Sequence, residues 1–300
     1  MPQVSIIIIN FNTFRLTTQC IESVYEKTQG ISFEIVLVDN ASLECNPDLF
    51  TEQFPEIKLV KSKENVGFAK GNNLGIASAT GEFILLLNSD TKLLNNAILI
   101  AYQKLAAESN VGVVTGKLLY PDGTIQHQCG RFPSIKLQLI ELLRIQKLWN
   151  PRKRGEILLG SFFNHDSEVN PDWVWGTFFM TKAAIIRQLD NQKLPDEFFM
   201  YNEDLQWCYE IKKLGYSIKY LSEALILHYF SQSTKQNKDI NQYALIINNQ
   251  DTFLKKNYGI FYTKFFYLFS ILNARILSIK YPDYSLVSKV YLRKLFGQKI

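Results

Sequence analysis

The fold of this chain is decided by a stretch that reads Ser5-Ile6-Ile7-Ile8-Ile9-Asn10-Phe11-Asn12. Its isoleucines follow one another without polar alternation, which is typical of a strand whose two faces are both covered, as in a parallel sheet. The run ends at Asn10 and Asn12, polar residues placed where a first strand would turn toward a helix. The stretch therefore predicts the first strand of an α/β sheet.

Strand-like and helix-like segments alternate after this run. The further strand-like runs are 33–39, 57–61, 83–88 and 111–117, and the helix-like stretches are 14–27, 69–79 and 95–108. Such alternation predicts a mostly parallel sheet with right-handed crossovers and flanking helices. A dinucleotide-binding domain would carry G-x-G-x-x-G at the first turn, and this chain has no such motif there.

The composition is that of an ordinary globular protein with ample material for a core, since 47% of the residues are hydrophobic and 20% are charged. The four cysteines are scattered without a C-x-x-C pair, so neither a zinc knuckle nor a disulfide framework is indicated. We also find no basic leader or cleavage site before the first strand. These observations predict a reduced, cytoplasmic protein.

Positive charge is concentrated in residues 255–300. This segment holds nine Lys/Arg and one acid, whereas the rest of the chain holds 24 basic and 27 acidic residues. Within it, 260–279 has apolar residues at helical spacing, interrupted by Lys264, Arg275 and Lys280. Two interpretations fit this helix equally well. It lies on an anionic membrane surface, or it packs on its own domain. We do not expect a nucleic-acid partner.

Acidic residues close two of the predicted strands. Asp39, followed by Asn40, ends one apolar run, and Asp90 ends the motif Asn88-Ser89-Asp90 after another. Open α/β sheets bind ligands at the carboxyl ends of their strands. There Asp39 can accept a hydrogen bond from a pyrimidine base or a ribose, and Asp90 can hold a divalent cation on a diphosphate. Taken alone, each residue is just as typical of a helix or turn cap.

Residues 65–75 form a glycine-rich segment whose three glycines recur every four residues. On a helix this spacing puts the glycines along one side and lets another backbone approach closely. One interpretation is packing alone. The other adds Asn65, Lys70 and Asn72 as amide and ammonium groups around a nucleotide.

A Glu-Asp pair follows an aromatic stretch in the second half of the chain. Residues 198–201 read Phe-Phe-Met-Tyr, and Glu203 and Asp204 then begin a helix, because apolar residues recur at helical spacing after them. The dipole of that helix would help to hold both carboxylates ionised. A carboxylate at the mouth of a pocket can take the proton of an attacking hydroxyl. The alternative is a pair of capping acids.

Two other places can line a ligand site. Trp175 and Gly176 lie in an aromatic segment whose rings can stack on the apolar face of a sugar. The alternative is that these rings are buried in the core, which we expect for some of them. His228 ends an apolar strand and is a candidate ligand, although a lone histidine is usually structural. Residues 135–149 read as an apolar, basic helix that ends at Pro151.

Together these motifs resemble the GT-A glycosyltransferases of family 2, and within them the rhamnosyltransferase-like branch. The resemblance covers roughly residues 4–235. It implies a GT-A type, Rossmann-like, mostly parallel sheet with flanking helices. Residues 1–118 would be the nucleotide-sugar-binding half and 119–235 the acceptor-binding and catalytic half of the same domain. Residues 236–300 would be a basic helical C-terminal extension.

The resemblance also implies a role for each candidate residue. Asp39 would contact the base, and Asp90, with His228, would hold Mg²⁺ or Mn²⁺ on the diphosphate. Asp204, with Glu203 beside it, would be the catalytic base. The remaining nucleotide-sugar contacts would come from Asn10, Asn12, Asn40, Asn65, Lys70, Asn72, Asn88, Trp175 and Gly176.

The resemblance further implies the substrates. The donor would be dTDP-L-rhamnose, with UDP-galactofuranose or a UDP-hexose as alternatives, and the acceptor a lipid-linked surface polysaccharide or O-antigen. The basic C-terminal segment would then keep the protein at the inner face of the cell membrane. Three residues depart from the family pattern. Asn88 replaces the first Asp of a strict D-x-D, and Gln206 and Glu210 stand where Asp and Arg are common.

Two other classes of protein remain as alternatives. A nucleotidyltransferase would need a loop rich in Gly, Arg and Lys after the first strand, and residues 10–13 do not supply one. A non-catalytic glycan-binding or scaffold protein could keep the fold but would not need to keep Asp39, Asp90 and the Glu-Asp pair. Metal-dependent affinity for a nucleotide separates the enzyme from the scaffold.

Overall fold

The structure, a computed structural model, describes residues 1–229 and 240–298. The chain divides into two compact units, which are described separately. The first consists of Met1–Gly130 and Asn164–Lys235, and the second of Arg131–Phe163 and Gln236–Ile300. The expected boundary after residue 235 and the last two residues of the basic segment lie outside the described residues.

The first unit is built on an eight-stranded sheet with the spatial order β3-β2-β1-β4-β9-β6-β10-β5, and β7 and β8 form a separate pair. The strands are β1 (Val4–Asn10), β2 (Phe33–Asp39), β3 (Lys58–Lys61), β4 (Phe83–Asn88), β5 (Thr91–Leu93), β6 (Val111–Leu119), β7 (Cys129–Gly130), β8 (Trp173–Val174), β9 (Phe178–Lys182) and β10 (Ser217–His228). The pairs β1–β2, β2–β3, β1–β4 and β6–β10 are parallel. Strand β9 is antiparallel to both β4 and β6, and β5 to β10. The mostly parallel α/β sheet is therefore confirmed.

Helices connect and cover these strands. In chain order the helices of both units are α1 (Phe14–Lys27), α2 (Asp48–Gln53), α3 (Phe68–Ser78), α4 (Ala97–Ala107), α5 (Ile135–Leu142), α6 (Pro151–Leu158), α7 (Ala183–Ile186), α8 (Glu203–Lys213), α9 (Ile240–Tyr258), α10 (Ile260–Ser278) and α11 (Tyr284–Leu295). Helices α5, α6 and α9 to α11 belong to the second unit. The predicted helical C-terminal part of the chain is thus confirmed.

Strand β1 is covered on both faces, as its unbroken isoleucines predict. Ile6 and Ile8 belong to the core cluster that also contains Ile21 of α1. On the other face, a Cβ added to Gly75 of α3 would lie only 2.3 Å from Cγ2 of Ile7. Because side chains alternate along a strand, these contacts place α1 and α3 on opposite faces of the sheet. Strand β1 is therefore buried between two helix layers, and its carboxyl end at Asn10 leads into the site.

The second unit is a group of helices around α10. Its Asn273 side chain donates a 2.7 Å hydrogen bond to Oε1 of Gln138 on α5. Asp251 of α9 is buried and accepts hydrogen bonds from Tyr267 of α10 and, at 3.2 Å, from Lys294 of α11. These polar contacts join four helices of the unit, α5, α9, α10 and α11.

The predicted helix at 135–149 is wrong in its extent. Helix α5 ends at Leu142, because Arg144 adopts a left-handed backbone conformation with φ 56°, and a short 3₁₀ turn follows. Pro151 then begins α6 rather than ending a helix. A proline is favourable at the first helical position, where its missing N–H is not needed, and the Asn150 side chain caps the helix by accepting from Lys153 N at 2.8 Å.

Candidate active site

The candidate residues of the first half meet at the carboxyl edge of the sheet. Asn10 at the end of β1 pairs with Asp39 at the end of β2, and the preceding Ile9 pairs with Asn88 at the end of β4. Asp90 follows two residues later. Because β1, β2 and β4 are parallel neighbours, their polar ends fall side by side, as the strand pattern predicts.

Asp39 is fixed by hydrogen bonds to both of its carboxylate oxygens. Asn10 Nδ2 donates to Oδ1 at 2.9 Å and the Ser42 backbone N–H donates to Oδ2 at 3.2 Å. Asn10 is itself held by Thr17, whose hydroxyl donates to Asn10 Oδ1 at 2.8 Å. An ionised carboxylate has about four acceptor positions, so Asp39 keeps capacity for a base or ribose donor.

Asn12, Asn40 and Asn65 brace the loops around Asp39. Asn12 has a φ of 53°, and its Oδ1 accepts from the Leu43 backbone N–H at 2.8 Å. Asn40 Nδ2 donates to Asn65 Oδ1 at 2.9 Å, and Asn40 Oδ1 accepts from Val66 N at 3.0 Å. These three side chains therefore shape the carboxyl edge, and a direct contact with a nucleotide stays a prediction.

The glycine-rich segment is explained largely by packing. Gly71 and Gly75 of α3 face Ile9 and Ile7 of β1; a Cβ on Gly75 would collide with Ile7 at 2.3 Å, and a Cβ on Gly71 would press on Ile9 at 3.1 Å. Asn72 is buried, and its Nδ2 donates to the Phe68 carbonyl at 3.0 Å. Lys70 is exposed on the same helix. Packing thus accounts for both helical glycines, and nucleotide contacts from Lys70 and Asn72 stay predictions.

Asp90 and His228 face each other. His228 Nε2 lies 3.3 Å from Asp90 Oδ1, and the Tyr229 backbone N–H donates to the Asp90 carbonyl at 2.9 Å. Gln126 holds the ring from the other side. Its Nε2 donates to the His228 carbonyl at 2.8 Å, so its Oε1 is left to accept from Nδ1 at 2.7 Å. Gln126 therefore fixes the ring so that Nε2 is directed toward Asp90.

These residues fit a divalent cation of the Mg²⁺ or Mn²⁺ type. Two adjacent ligands of an octahedral ion at 2.0–2.1 Å lie about 3 Å apart, close to the separation of Asp90 Oδ1 and His228 Nε2. Asn88 Oδ1 is buried without a hydrogen-bond partner among the described residues, and it lies two positions before Asp90. The described residues contain no cluster of three or more His, Cys, Asp or Glu ligands. The remaining ligands would then be diphosphate oxygens and water, as is usual for these ions.

Asp204 is joined to this cluster through two consecutive residues. The Gly176 backbone N–H donates to Asp204 Oδ2 at 3.2 Å, and the Thr177 carbonyl accepts from the Asn88 backbone N–H at 3.0 Å. Strand β9 begins directly after Thr177 and pairs Phe178 with Leu87 of β4. The antiparallel strand therefore carries Gly176 to the edge where β4 ends, and it connects Asp204 to the backbone of Asn88 through Gly176 and Thr177.

Helix α8 begins at Glu203, as predicted, after left-handed residues at Tyr201 and Asn202. Burial raises the pKa of Asp204, and burial together with the charge of Asp204 raises the pKa of Glu203. Glu203 Oε2 is buried and has no hydrogen-bond partner among the described residues. The backbone N–H groups at the start of the helix do lower the pKa of both carboxyls, but burial outweighs them. A carboxylate with a raised pKa is a stronger base.

Aromatic residues surround Gly176. A Cβ at this position would lie 2.9 Å from the Phe68 ring and 3.3 Å from the Trp207 ring, so only glycine fits without movement. Trp175 is partly buried against the sheet core. Phe199 is 54% exposed, and its carbonyl accepts from the Phe68 N–H at 2.9 Å. Phe199 is thus the aromatic residue of the 198–201 stretch that offers an open ring surface near the glycine-rich segment.

Sequence reasoning missed Gln126, Thr177 and Ser42. Gln126 is 102 residues away from the histidine it holds. No local pattern marks it. Thr177 follows the Trp-Gly motif directly, and Ser42 lies in the Asp39-Asn40-Ala41-Ser42 motif, so both could have been found as neighbours of chosen residues. The two departures from the family pattern in α8 bond to each other, since Gln206 Nε2 donates to Glu210 Oε1 at 2.7 Å.

Comparison with known proteins identifies the relatives of this chain. The sequence model of the family named Glycosyl transferase family 2 matches residues 5–169. The low-salt glycan biosynthesis hexosyltransferase Agl10 of Haloferax volcanii is 23% identical over 312 residues, which cover 100% of this chain and 87% of that protein. An N-acetylglucosaminyl-diphospho-decaprenol L-rhamnosyltransferase of Mycobacterium tuberculosis is 20% identical over 215 residues, 67% of each chain.

The lengths of the relatives differ widely. The match to an uncharacterized protein of Sinorhizobium fredii, 31% identical over 130 residues, spans 42% of this chain but only 14% of that protein. Among solved structures, the mannosyltransferase PcManGT of Pyrobaculum calidifontis, in complex with GDP-Man and Mn²⁺, superposes with a TM-score of 0.61 at 15% identity. That match covers 99% of this chain and 87% of the other. At this identity the likeness shows the fold, and it confirms the GT-A type architecture.

Proposed function

The chain belongs to glycosyl transferase family 2, and from that premise we propose that it is an inverting, metal-dependent glycosyltransferase. It moves a sugar from a nucleoside diphosphate to a hydroxyl of a glycan. The observation that supports this proposal is the hydrogen-bonded path from Asp204 through Gly176 and Thr177 to Asn88, which lies two positions before Asp90. A candidate base and a candidate diphosphate site thus share one edge of the sheet, which a single displacement requires.

Asp204 accepts the proton of the acceptor hydroxyl as its oxygen attacks the anomeric carbon. The bond between that carbon and the diphosphate oxygen breaks on the opposite side, and the nucleoside diphosphate leaves with the electron pair. The raised pKa of Asp204 strengthens it as a base, and general-base assistance of this kind accelerates reactions by about 10²–10⁴-fold. Glu203, next to it, shapes the electrostatics of the same position.

Asp90 and His228 hold the metal and Asp39 reads the base of the donor. Mg²⁺ or Mn²⁺, when bound, neutralises charge on the departing diphosphate. Gln126 orients the imidazole so that Nε2 is the ligand atom, and such supporting contacts strongly affect metal affinity. The complex of the Pyrobaculum enzyme with GDP-Man and Mn²⁺ supports this assignment by analogy of fold.

The donor we favour is dTDP-L-rhamnose, supported by the rhamnosyltransferase among the relatives. UDP-galactofuranose and UDP-hexoses are the alternatives. A lipid-linked cell-envelope glycan is the acceptor that suits the names of the relatives, which include an O-antigen biosynthesis protein of Myxococcus xanthus. The nucleotide contacts of Asn10, Asn12, Asn40, Asn65 and Lys70, together with the division of the catalytic domain into halves at residue 118, belong to the same proposal.

A donor screen tests the proposal. Purified protein is incubated with dTDP-, UDP- and GDP-sugars, with and without Mn²⁺, and release of nucleoside diphosphate is measured. We expect metal-dependent release from one pyrimidine nucleotide-sugar, increased by a glycan acceptor. Absence of metal-dependent affinity for both UDP and dTDP would instead favour the scaffold protein.

A further inference from the structure

We propose that one face of α10 is a membrane-docking surface for a bilayer that carries anionic lipid headgroups. This face, the α10 stripe, consists of exposed apolar residues: Phe261, Phe265, Leu268, Leu272 and Ile276 of the helix, and Ile279 directly after its end. Plotted at about 100° per residue, all six fall within an arc of about 80°. The proposal is independent of the proposed transfer reaction, since it concerns a different surface and a different readout.

The α10 stripe is unusually exposed for apolar residues. Phe261 is 82%, Phe265 58% and Ile279 87% exposed. The opposite face of the helix is buried, and it carries Tyr267 and Asn273, which hydrogen bond to α9 and α5. The helix is thus anchored to its own unit through one face and leaves the other uncovered among the described residues. Contiguous apolar surfaces of this kind mark interaction sites.

Cations lie beside the α10 stripe. Lys264 and Arg275 lie along one border of it, and Lys280 follows its last residue, all of them exposed. Neither Lys264 nor Arg275 forms an ion pair with any residue in the described part of the chain. Long basic side chains beside an apolar face can reach lipid phosphates while the apolar residues enter the acyl boundary. The charge of residues 255–300, nine cations to one acid, adds attraction to an anionic surface.

A second copy of the chain is a poorer occupant than lipid. The intervals along the α10 stripe are 4, 3, 4, 4 and 3 residues, and Arg275 stands where a continued heptad repeat would need an apolar residue. A symmetric pair of stripes would also bring the cations of both copies together. Flat lipid contact requires neither a heptad nor charge complementarity within the protein.

A helix that lies on the membrane also fits better than one that crosses it. By length and composition α10 meets the requirements for a membrane span, as core helices of soluble proteins also do. Its buried face, however, contains Thr263, Ser270 and Asn273 and packs against the other helices of its unit. Because that face is covered, the helix offers lipid the α10 stripe, and a helix that inserts one apolar face lies in the plane of the interface with that face buried about 5–10 Å.

Vesicle flotation with the full chain tests the proposal. We expect the protein to float with phosphatidylcholine vesicles that contain phosphatidylglycerol and to stay behind with pure phosphatidylcholine. The triple variant Phe261→Gln, Phe265→Gln, Ile279→Gln should bind at least tenfold more weakly. A matched control, Leu43→Gln, changes another exposed apolar residue in the first unit and should bind like the wild type.

A charge variant separates the electrostatic contribution to membrane binding from the contribution of the apolar residues. Lys264→Gln with Arg275→Gln should weaken binding about fivefold per cation removed, whereas Lys63→Gln with Lys92→Gln, exposed cations of the first unit, should have little effect. The variant Phe261→Leu keeps an apolar residue and should retain binding, which would show that apolar character at this position is what the membrane requires; circular dichroism and nucleotide binding of the triple variant, equal to those of the wild type, separate lost contact from misfolding.

Three results would overturn the proposal. They are equal flotation of the triple variant and the wild type, equal binding to charged and uncharged vesicles, and a lipid-free dimer that the triple variant abolishes. The last would identify a second copy as the occupant. Nucleotide binding, measured on the same preparations, shows separately whether the catalytic proposal holds.

Discussion

Replacement of Asp204 by asparagine is the sharpest test of the candidate active site. The change keeps the size of the side chain but removes the carboxylate that would accept the proton. We expect the turnover number to fall about 10²–10⁴-fold, which corresponds to about 3–5.5 kcal/mol of lost transition-state stabilisation. The affinity for the donor should change little, because Asp204 acts on the acceptor.

The structure also gives the side effects of this substitution. Asp204 accepts hydrogen bonds from Leu205 N at 2.8 Å and from Gly176 N at 3.2 Å. The asparagine oxygen can keep the shorter bond, to Leu205 N. Its NH₂ group then faces the Gly176 N–H, so that two donors meet, and the lost hydrogen bond lowers the free energy of unfolding by about 1 kcal/mol. Removal of a buried negative charge offsets part of that cost. The effect on folding is thus much smaller than the expected effect on rate.

The assay measures nucleoside diphosphate release at saturating donor and acceptor, with donor affinity determined by calorimetry. Glu203→Gln is the matched control, since it removes one negative charge from the neighbouring carboxyl, and its rate loss should be at least tenfold smaller. For the wild type, the rate should climb with pH above the ordinary aspartate value of about 3.9, because burial raises the pKa of the base. If Asp204→Asn turned over within tenfold of the wild type, Asp204 would not be the base.

Four further substitutions each test one contact. Glu203→Gln should flatten the pH dependence of stability. Burial raises the pKa of Glu203, so the folded wild type retains a proton that the unfolded chain releases near pH 4.5. The wild type therefore loses stability as the pH rises from 4.5 through the raised pKa. Urea unfolding at acid and alkaline pH measures this loss, and the same pH dependence of stability in both proteins would contradict it. Asp39→Asn should weaken UDP or dTDP binding about 10–100-fold, because a charged acceptor is lost, and calorimetry without such a change would remove Asp39 from the nucleotide site. Gln126→Leu should weaken Mn²⁺ affinity in the presence of nucleotide about 10–100-fold, since the His228 ring loses the partner that orients it, and unaltered titrations would argue against His228 as a ligand. Gly75→Ala should destabilise the fold by about 1–3 kcal/mol, as the new Cβ meets Ile7; a denaturation midpoint equal to that of the wild type would show that α3 can move away.

Local patterns in the sequence predict the strands and helices that local forces determine. The predicted bounds of 14–27 and 33–39 are those of α1 and β2, because helical periodicity and an unbroken apolar run each specify one element. Asp39 and Asp90 could be placed at the carboxyl edge for the same reason. The order of parallel strands makes their ends converge without any knowledge of loops.

Tertiary pairing decides what these patterns cannot show. Strand β9 lies between β4 and β6 although its residues carry no sign of direction or neighbour, and β5 is only three residues long. The path from Asp204 to Asn88 depends on that placement of β9. The contact between Gln126 and His228 joins residues 102 positions apart, so no window of sequence could reveal it. The dominance of burial over the helix dipole at Glu203 likewise depends on the surrounding packing.

Because β9 runs opposite to its neighbour β4, it reaches the carboxyl edge of the sheet independently of β1, β2 and β4. Strands β1, β2 and β4 end at this edge of the sheet, whereas β9 begins there, directly after Gly176 and Thr177. The register among β1, β2 and β4 is formed without β9, so insertions between β6 and β8 leave that register intact. Under the proposed function, in which residues 119–235 bind the acceptor, such insertions would alter which hydroxyl is glycosylated and leave the donor-binding strands unchanged.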